Sequence, residues 1–147
     1  MRKPRVIIFD DDVVIVKMLE NFFMARGYEV SSYTEPVICP LYEKSADSCI
    51  KQEPCADVII TDFKMPKMNG LELLQGQTRR GCKLDIRNKV IISGYLDDQG
   101  LQKIRDLGCM FLQKPFTKSE LSALLNECEK RFDLSQPLSL SELFDAP

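Results

Sequence analysis

Short apolar runs alternate along the chain with segments in which apolar residues recur every three to four positions. The runs predict strands at about 5–10, 28–33, 57–61, 89–93 and 109–113. Alternation of this kind is typical of a parallel sheet with helices on both faces. The pattern therefore predicts an α/β fold with a doubly wound, five-stranded sheet.

The helical segments differ in the strength of their pattern. Clear apolar stripes predict helices at 14–26, 70–80, around 101–107 and at 118–131, the last of them capped near Thr117. The stretch 34–55 is weaker because Pro36 and Pro40 disfavour a helix interior. We therefore expect an irregular helix in this stretch.

One domain of about 1–131 is expected, followed by a tail at 132–147. The tail is predicted to be a linker or a short docking helix, because Ser139 and Glu142 have the spacing of a helix capping box. The chain holds 147 residues, of which 44% are hydrophobic, an ordinary fraction for one globular core.

Charge and apolar content exclude several kinds of partner. The net charge of −2 leaves no basic surplus, so affinity for nucleic acid or an anionic membrane surface is not expected. No apolar stretch approaches the length of a membrane span, and the first predicted strand begins without a signal-type segment. These features predict a cytoplasmic protein.

Six cysteines are spread along the chain, at Cys39, Cys49, Cys55, Cys82, Cys109 and Cys128. No two have Cys-x-x-Cys spacing, and the chain contains no histidine to complete a mixed zinc site. Free thiols are the simpler interpretation. A metal or redox role for the group Cys39, Cys49 and Cys55 stays open.

Acidic side chains follow two of the predicted strands. Asp10-Asp11-Asp12 follows the first strand, and Asp62 follows the apolar run of the third. If the first strand lies between the second and the third, Asp10 and Asp11 lie next to Asp62 at the point where strand order reverses. Neighbouring carboxylates need a shared cation or a proton, and oxygen ligands suit Mg²⁺. Helix capping is the alternative: it can explain Asp12, but not the convergence.

Two more strand ends contribute to the same edge of the sheet. Ser93 ends the fourth predicted strand, and Lys114 follows the fifth. A hydroxyl and an ammonium can each hydrogen-bond or neutralise a phosphoryl oxygen. Their shared position with Asp62 predicts a site for phosphate chemistry.

These motifs resemble the receiver domain of two-component response regulators, of the chemotaxis-regulator type, over about residues 4–131. The resemblance rests on Asp10-Asp11, on Asp62-x-x-Met65-Pro66-x-Met68-Asn69-Gly70, on Ser93 and on Lys114-Pro115-Phe116. It implies a flavodoxin-like fold with strand order 2-1-3-4-5. It also implies a signalling domain, not an enzyme beyond its own phosphotransfer and slow autodephosphorylation.

The resemblance assigns roles around the pocket. A phosphoryl group would pass from a phosphohistidine of a sensor histidine kinase or histidine phosphotransfer protein to Asp62. Mg²⁺ would be held by Asp11, Asp62 and the backbone carbonyl of Lys64, with Asp10 acting through water. Lys114 would pair with the phosphoryl group, and its peptide bond to Pro115 would be cis.

The resemblance also implies a switch and an output. Ser93 would move to the phosphoryl group and Phe111 would rotate inward, which would rearrange the surface of the fourth helix, fifth strand and last helix. Lys64 and Tyr95 would tune hydrolysis of the phosphate. The output would be a downstream protein target or a further domain, and phosphorylation-dependent homodimerisation through these helices is a further expectation.

Two other functions compete with this interpretation. Asp10-Asp11-Asp12-Val13-Val14 also fits the signature of haloacid-dehalogenase-type phosphatases, with Asp10 as nucleophile and Asp12 as acid/base. That interpretation leaves Asp62 without a role, and the later acidic pair Asp97-Asp98 precedes Lys114 instead of following it. A receiver-shaped adaptor that never carries phosphate is a third possibility, although every pocket residue is present.

Overall fold

The structure is a computed structural model that describes residues 1–35, 49 and 52–139. It contains the predicted alternation of strands and helices. The strands are β1 (Arg5–Phe9), β2 (Glu29–Tyr33), β3 (Val58–Asp62), β4 (Lys89–Ser93) and β5 (Met110–Gln113). The α-helices of the described residues are α1 (Val13–Ala25), α2 (Gly70–Arg79), α3 (Asp98–Leu107) and α4 (Lys118–Glu129). A 3-10 turn, Ile86–Asn88, leads into β4.

The five strands form one parallel sheet with the order β2-β1-β3-β4-β5. The predicted order 2-1-3-4-5 is therefore confirmed, and β1 lies between β2 and β3. Phe9 of β1 pairs with Thr61 of β3. This register brings the residues that follow β1 beside the last residue of β3.

Apolar side chains cover both faces of the sheet because successive strand residues point to opposite sides. Alternate residues such as Ile8 pack with α1 and α4, where Leu19 and Leu125 are fully buried. Ile7 and its counterparts pack with α2 and α3, where Leu74 is fully buried. The near-continuous apolar runs of β1, β3 and β4 follow from burial on both faces.

Side-chain caps fix where the helices begin. Asn69 forms a capping box with Glu72 at the start of α2, and Thr117 forms one with Glu120 at the start of α4. The cap expected near Thr117 is thus confirmed. At the other end of α3, Gly108 has a φ of 90°, a left-handed conformation that glycine adopts without steric cost.

Some predicted features lie outside the described residues. These are most of the irregular helix expected within 34–55, with Cys39, and the end of the tail, with Glu142. The described cysteines, Cys49, Cys55, Cys82, Cys109 and Cys128, carry free thiols. Within the described ranges, no helix has the length and apolar character needed to cross a membrane.

Candidate functional site

Three aspartates meet at the carboxyl ends of the central strands. One carboxylate oxygen from each of Asp10, Asp11 and Asp62 lies within 4.8 Å of the others. Asp10 and Asp62 are only 1% and 8% exposed, whereas Asp11 is exposed. The structure thus brings together the acidic residues that the sequence predicted to converge.

Lys114 reaches these carboxylates from the end of β5. Its Nζ lies 3.3 Å from Asp62 Oδ1 and 3.6 Å from Asp10 Oδ2. The Lys114 backbone N–H donates to the carbonyl oxygen of Ser93 at 2.8 Å, which holds the start of the loop against β4. The peptide bond between Lys114 and Pro115 is cis, as the resemblance implies.

Lys114 does not fully compensate the negative charges of Asp10 and Asp62. Burial raises the pKa of the Asp62 carboxyl above its usual value, and the nearby Lys114 ammonium only partly opposes this shift. Burial likewise raises the pKa of Asp10, although the Asp12 backbone N–H donates to its Oδ1 at 2.9 Å. A further positive charge at this position would therefore stabilise the ionised forms.

One oxygen in the pocket directly suggests a ligand. Asp10 Oδ2 is buried and accepts no hydrogen bond from any described residue. A buried carboxylate oxygen without a donor is costly, so it normally has a metal, a water or a proton. The all-oxygen set of Asp10, Asp11 and Asp62 suits a hard divalent cation such as Mg²⁺. These residues fit the expected metal.

The backbone around Asp62 is fixed by close packing against α2. Phe63 N–H donates to the Ile92 carbonyl at 2.8 Å, and Gly70 N–H donates to the Phe63 carbonyl at 2.7 Å. A Cβ atom added at Gly70 would overlap the carbonyl oxygen of Asp62. Only glycine fits there. Gly70 belongs to the Asp62 motif, but nothing in the sequence pattern predicts this packing role.

The two predicted switch residues lie in β4 and β5, in different environments. Ser93 is 5% exposed, and its Oγ donates to the Tyr95 carbonyl oxygen at 3.0 Å. Its hydroxyl is therefore engaged by the loop after β4. Phe111 is half-buried and packs against the core beneath α2 and α3.

The two predicted tuning residues are both on the surface. Lys64 is exposed in the loop after Asp62, and Tyr95 is 80% exposed in the loop after Ser93. Tyr95 also lines a shallow groove of about 330 Å³ together with Phe63. Both side chains are therefore accessible to solvent, in the loops that follow β3 and β4.

Asp12 does not share the pocket. Its carboxylate accepts a hydrogen bond from Val14 N–H at 2.9 Å and caps α1. Asp97 has the same kind of role at the start of α3, where it accepts from Gly100 N–H. The residue that a phosphatase of the dehalogenase type would use as acid/base is therefore a helix cap here, as the capping alternative predicted.

The strand order and the pocket of acidic residues and lysine define a flavodoxin-like receiver fold. A family model for the response regulator receiver domain matches residues 6–126. The chain therefore belongs to the response regulator receiver domain family and is a signalling domain of two-component systems. Receiver domains take their phosphoryl group from histidine kinases. The family match gives the phosphatase alternative no support.

Individual relatives agree with this family. The chain is 26% identical over 128 residues to the chemotaxis protein CheY of Thermotoga maritima. The match covers 86% of this chain and 98% of that protein. It is 26% identical over 120 residues to the two-component response regulator ARR11 of Arabidopsis thaliana, covering 82% of this chain and 21% of the regulator. The chain thus spans about a fifth of that longer relative.

Solved structures show the same fold. A crystal structure of a response regulator receiver domain protein from Clostridium thermocellum superposes with a TM-score of 0.68 at 23% identity. The match covers 87% of this chain and 95% of the other.

Proposed function

We propose that Asp62 accepts a phosphoryl group from the phosphohistidine of a sensor histidine kinase or a histidine phosphotransfer protein. The observation that carries this proposal is the position of the Asp62 carboxylate, 3.3 Å from the Lys114 ammonium and beside Asp10 and Asp11. A nucleophile, a cation and metal-ligand oxygens at one strand edge are what phosphoryl transfer requires.

The transfer is a simple exchange of bonds at phosphorus. An oxygen of the Asp62 carboxylate attacks the phosphorus atom as the bond from phosphorus to the imidazole nitrogen breaks. The electron pair of that bond returns to the imidazole, and the aspartyl phosphate remains. Lys114 Nζ hydrogen-bonds a phosphoryl oxygen and offsets its charge, because Lys114 already lies within reach of the acceptor.

The cofactor in this proposal is Mg²⁺. Asp11, Asp62 and the backbone carbonyl of Lys64 would hold it, and Asp10 would contribute through a water molecule. The buried Asp10 Oδ2, with no hydrogen bond from the described residues, supports this assignment. When bound, the ion neutralises charge that collects on the phosphoryl oxygens.

The proposed readout begins at Ser93. Its hydroxyl, which now donates to the Tyr95 carbonyl, would donate to the phosphoryl group, and Phe111 would turn inward. The surface of α3, β5 and α4 would then change for a downstream protein or a second copy of the chain. Lys64 and Tyr95 would set how fast water removes the phosphate.

The proposal keeps the domain bounds, the location and the range of partners that the sequence predicts. It places the receiver domain at 1–131 with a tail at 132–147, and it keeps the predicted cytoplasmic location. Slow loss of its own phosphate would be the only further reaction of the chain. No contact with nucleic acid or membrane is part of this function.

Intact mass after incubation with acetyl phosphate and Mg²⁺ tests the proposal. The wild type should gain one phosphoryl group, and omission of Mg²⁺ should prevent the gain. Asp62→Asn should show no adduct, because the amide is not a nucleophile. Asp10→Asn should still form the adduct, but more slowly.

Other outcomes would redirect the assignment. An adduct that survives Asp62→Asn would move the acceptor to another residue. No adduct on any form, even from a phosphorylated histidine phosphotransfer protein, would favour the adaptor that never carries phosphate.

A further inference from the structure

The two ends of α4 are attached to the rest of the molecule in different ways. At the carboxyl end, Glu129 accepts hydrogen bonds from Arg26 Nη2 at 2.8 Å and from the Tyr28 hydroxyl at 2.6 Å. Arg131, just past the helix, donates from Nε to Asn88 Oδ1 at 2.7 Å. These contacts join this end of α4 to the α1–β2 turn and to the start of β4.

Residues 133–139, called the strap here, extend this attachment across the amino-terminal edge of the sheet. Arg2 N–H donates to the Leu134 carbonyl at 3.3 Å, and Arg2 Nε donates to the Gln136 carbonyl at 2.6 Å. Ser139 N–H donates to the Pro54 carbonyl at 2.8 Å. Leu138 is only 8% exposed. The strap, which belongs to the predicted tail, is therefore packed against the receiver domain.

A partly buried ion pair holds Arg2, the residue that binds the strap. The Arg2 guanidinium donates to both oxygens of Asp57, at 2.7 and 2.9 Å, and Asp57 also accepts from Arg5 N–H at 2.8 Å. Asp57 directly precedes β3 and Arg5 begins β1. The strap is thus fixed to the two strands whose opposite ends carry Asp62 and Asp10.

The amino end of α4 has only local polar contacts. Thr117 and Glu120 cap each other, and the side chains of Lys118 and Ser119 are exposed. Within the described ranges, residues 117–120 make no ion pair or hydrogen bond with another helix or strand. This end follows the loop that carries Lys114 into the pocket.

We propose that the strap pins the carboxyl end of α4, so that phosphorylation moves this helix only at its amino end. The second half of this proposal rests on the proposed function. Movement of the carboxyl end would break the contacts of Glu129, Arg131 and the strap together, whereas the capping box of the amino end moves with the helix. A helix held in this way pivots about its pinned end.

Hydrogen exchange followed by mass spectrometry on the unphosphorylated full chain tests the pin. Leu138→Ser replaces the strap's buried apolar side chain and keeps the pair of Arg2 with Asp57, while Arg2→Ala removes the pair itself. Both variants should speed exchange of the Ser139 amide by roughly tenfold or more. Exchange of the amides of Leu124 and Leu125, inside α4, should stay unchanged.

Lys3→Ala is the matched control, because it removes an exposed positive charge next to Arg2, and the Lys3 side chain forms no hydrogen bond or ion pair with the strap. Its exchange pattern should equal that of the wild type. Unchanged exchange of Ser139 in both strap variants would overturn the pin.

A second arm adds acetyl phosphate and Mg²⁺, with adduct occupancy checked by intact mass. Exchange in wild-type residues 116–121 should change, and exchange in 128–132 should not. In Leu138→Ser the change should spread into 128–132. Equal changes at both ends of wild-type α4 would overturn the pivot. Absence of the adduct would contradict the proposed function instead, and the first arm would still decide whether the strap is a pin.

Discussion

An aspartate is buried at each end of the sheet, but the two carboxylates differ in how fully hydrogen bonds and an opposite charge compensate them. At the amino-terminal edge, Asp57 is 6% exposed and accepts from two nitrogens of Arg2 and from Arg5 N–H. At the carboxyl end, Asp10 is 1% exposed and accepts one hydrogen bond, from Asp12 N–H. Its other oxygen receives no hydrogen bond from any described residue.

The difference separates stability from function within one domain. A buried carboxylate with an arginine partner and full hydrogen bonding holds its neighbours in place, and removal of either partner is expensive. A buried carboxylate that lacks donors destabilises the fold, and is tolerated where a ligand is to supply the missing contact. Asp57 is the first kind of residue and Asp10 is the second.

Asp57→Asn should have the largest effect on folding. The substitution removes the negative charge and turns an amide donor toward the Arg2 guanidinium, so we expect a loss of about 3 kcal/mol in the free energy of unfolding. Urea denaturation followed by circular dichroism would measure it. Asp85→Asn is the control, because Asp85 pairs with Arg87 on the exposed surface and an asparagine still caps the 3-10 turn. Equal losses in both variants would remove the distinction between the two ends.

Gly70→Ala should have the next largest effect, at the opposite end. The added Cβ would overlap the Asp62 carbonyl oxygen, and we expect a cost of about 2 kcal/mol together with slower phosphoryl adduct formation. Gly94→Ala is a matched control, because a Cβ there meets no described atom within 4 Å. Adduct formation at the wild-type rate in Gly70→Ala would show that the position of Asp62 tolerates displacement.

The sequence predicted the sheet and the pocket because both depend on local pattern. Apolar runs such as Val58–Asp62 mark strands on their own, and parallel strands end at one edge. Polar residues that follow such runs, including Asp10 and Lys114, then lie at the same edge of the sheet. The strand order came from the family resemblance, since periodicity alone does not specify which strands are neighbours.

The contacts at the amino-terminal edge of the sheet could not be predicted, because no pattern in the sequence indicates them. Arg2 and Asp57 are separated by 55 positions, and the strap binds largely through backbone carbonyls, which any residue supplies. The sequence predicted a tail at 132–147 but not its contacts, such as the hydrogen bond from Ser139 N–H to the Pro54 carbonyl before β3. The partner of the Ser93 hydroxyl was also hidden, because it is a backbone oxygen of Tyr95.

The smallest effect has the opposite sign and is predicted for Asp10→Asn without Mg²⁺. The substitution keeps the oxygen that accepts from Asp12 N–H and removes a buried charge beside Asp62, so the variant should be more stable by about 1 kcal/mol at pH 7. Thermal unfolding in EDTA would measure it. Lower stability would show that the Asp10 charge is already compensated by Lys114.

The pH dependence sharpens this prediction. Burial raises the folded-state pKa of Asp10 above the unfolded value of about 3.9, so the folded state holds the proton more tightly. Below the unfolded pKa both states are protonated, and the wild type and Asp10→Asn should be equally stable. As pH rises from the unfolded pKa to the raised folded pKa, the wild type alone loses stability, and the gap should be full above the raised pKa. Saturating Mg²⁺ should stabilise the wild type more than the variant and close the gap, because only the wild type presents all three carboxylates to the ion.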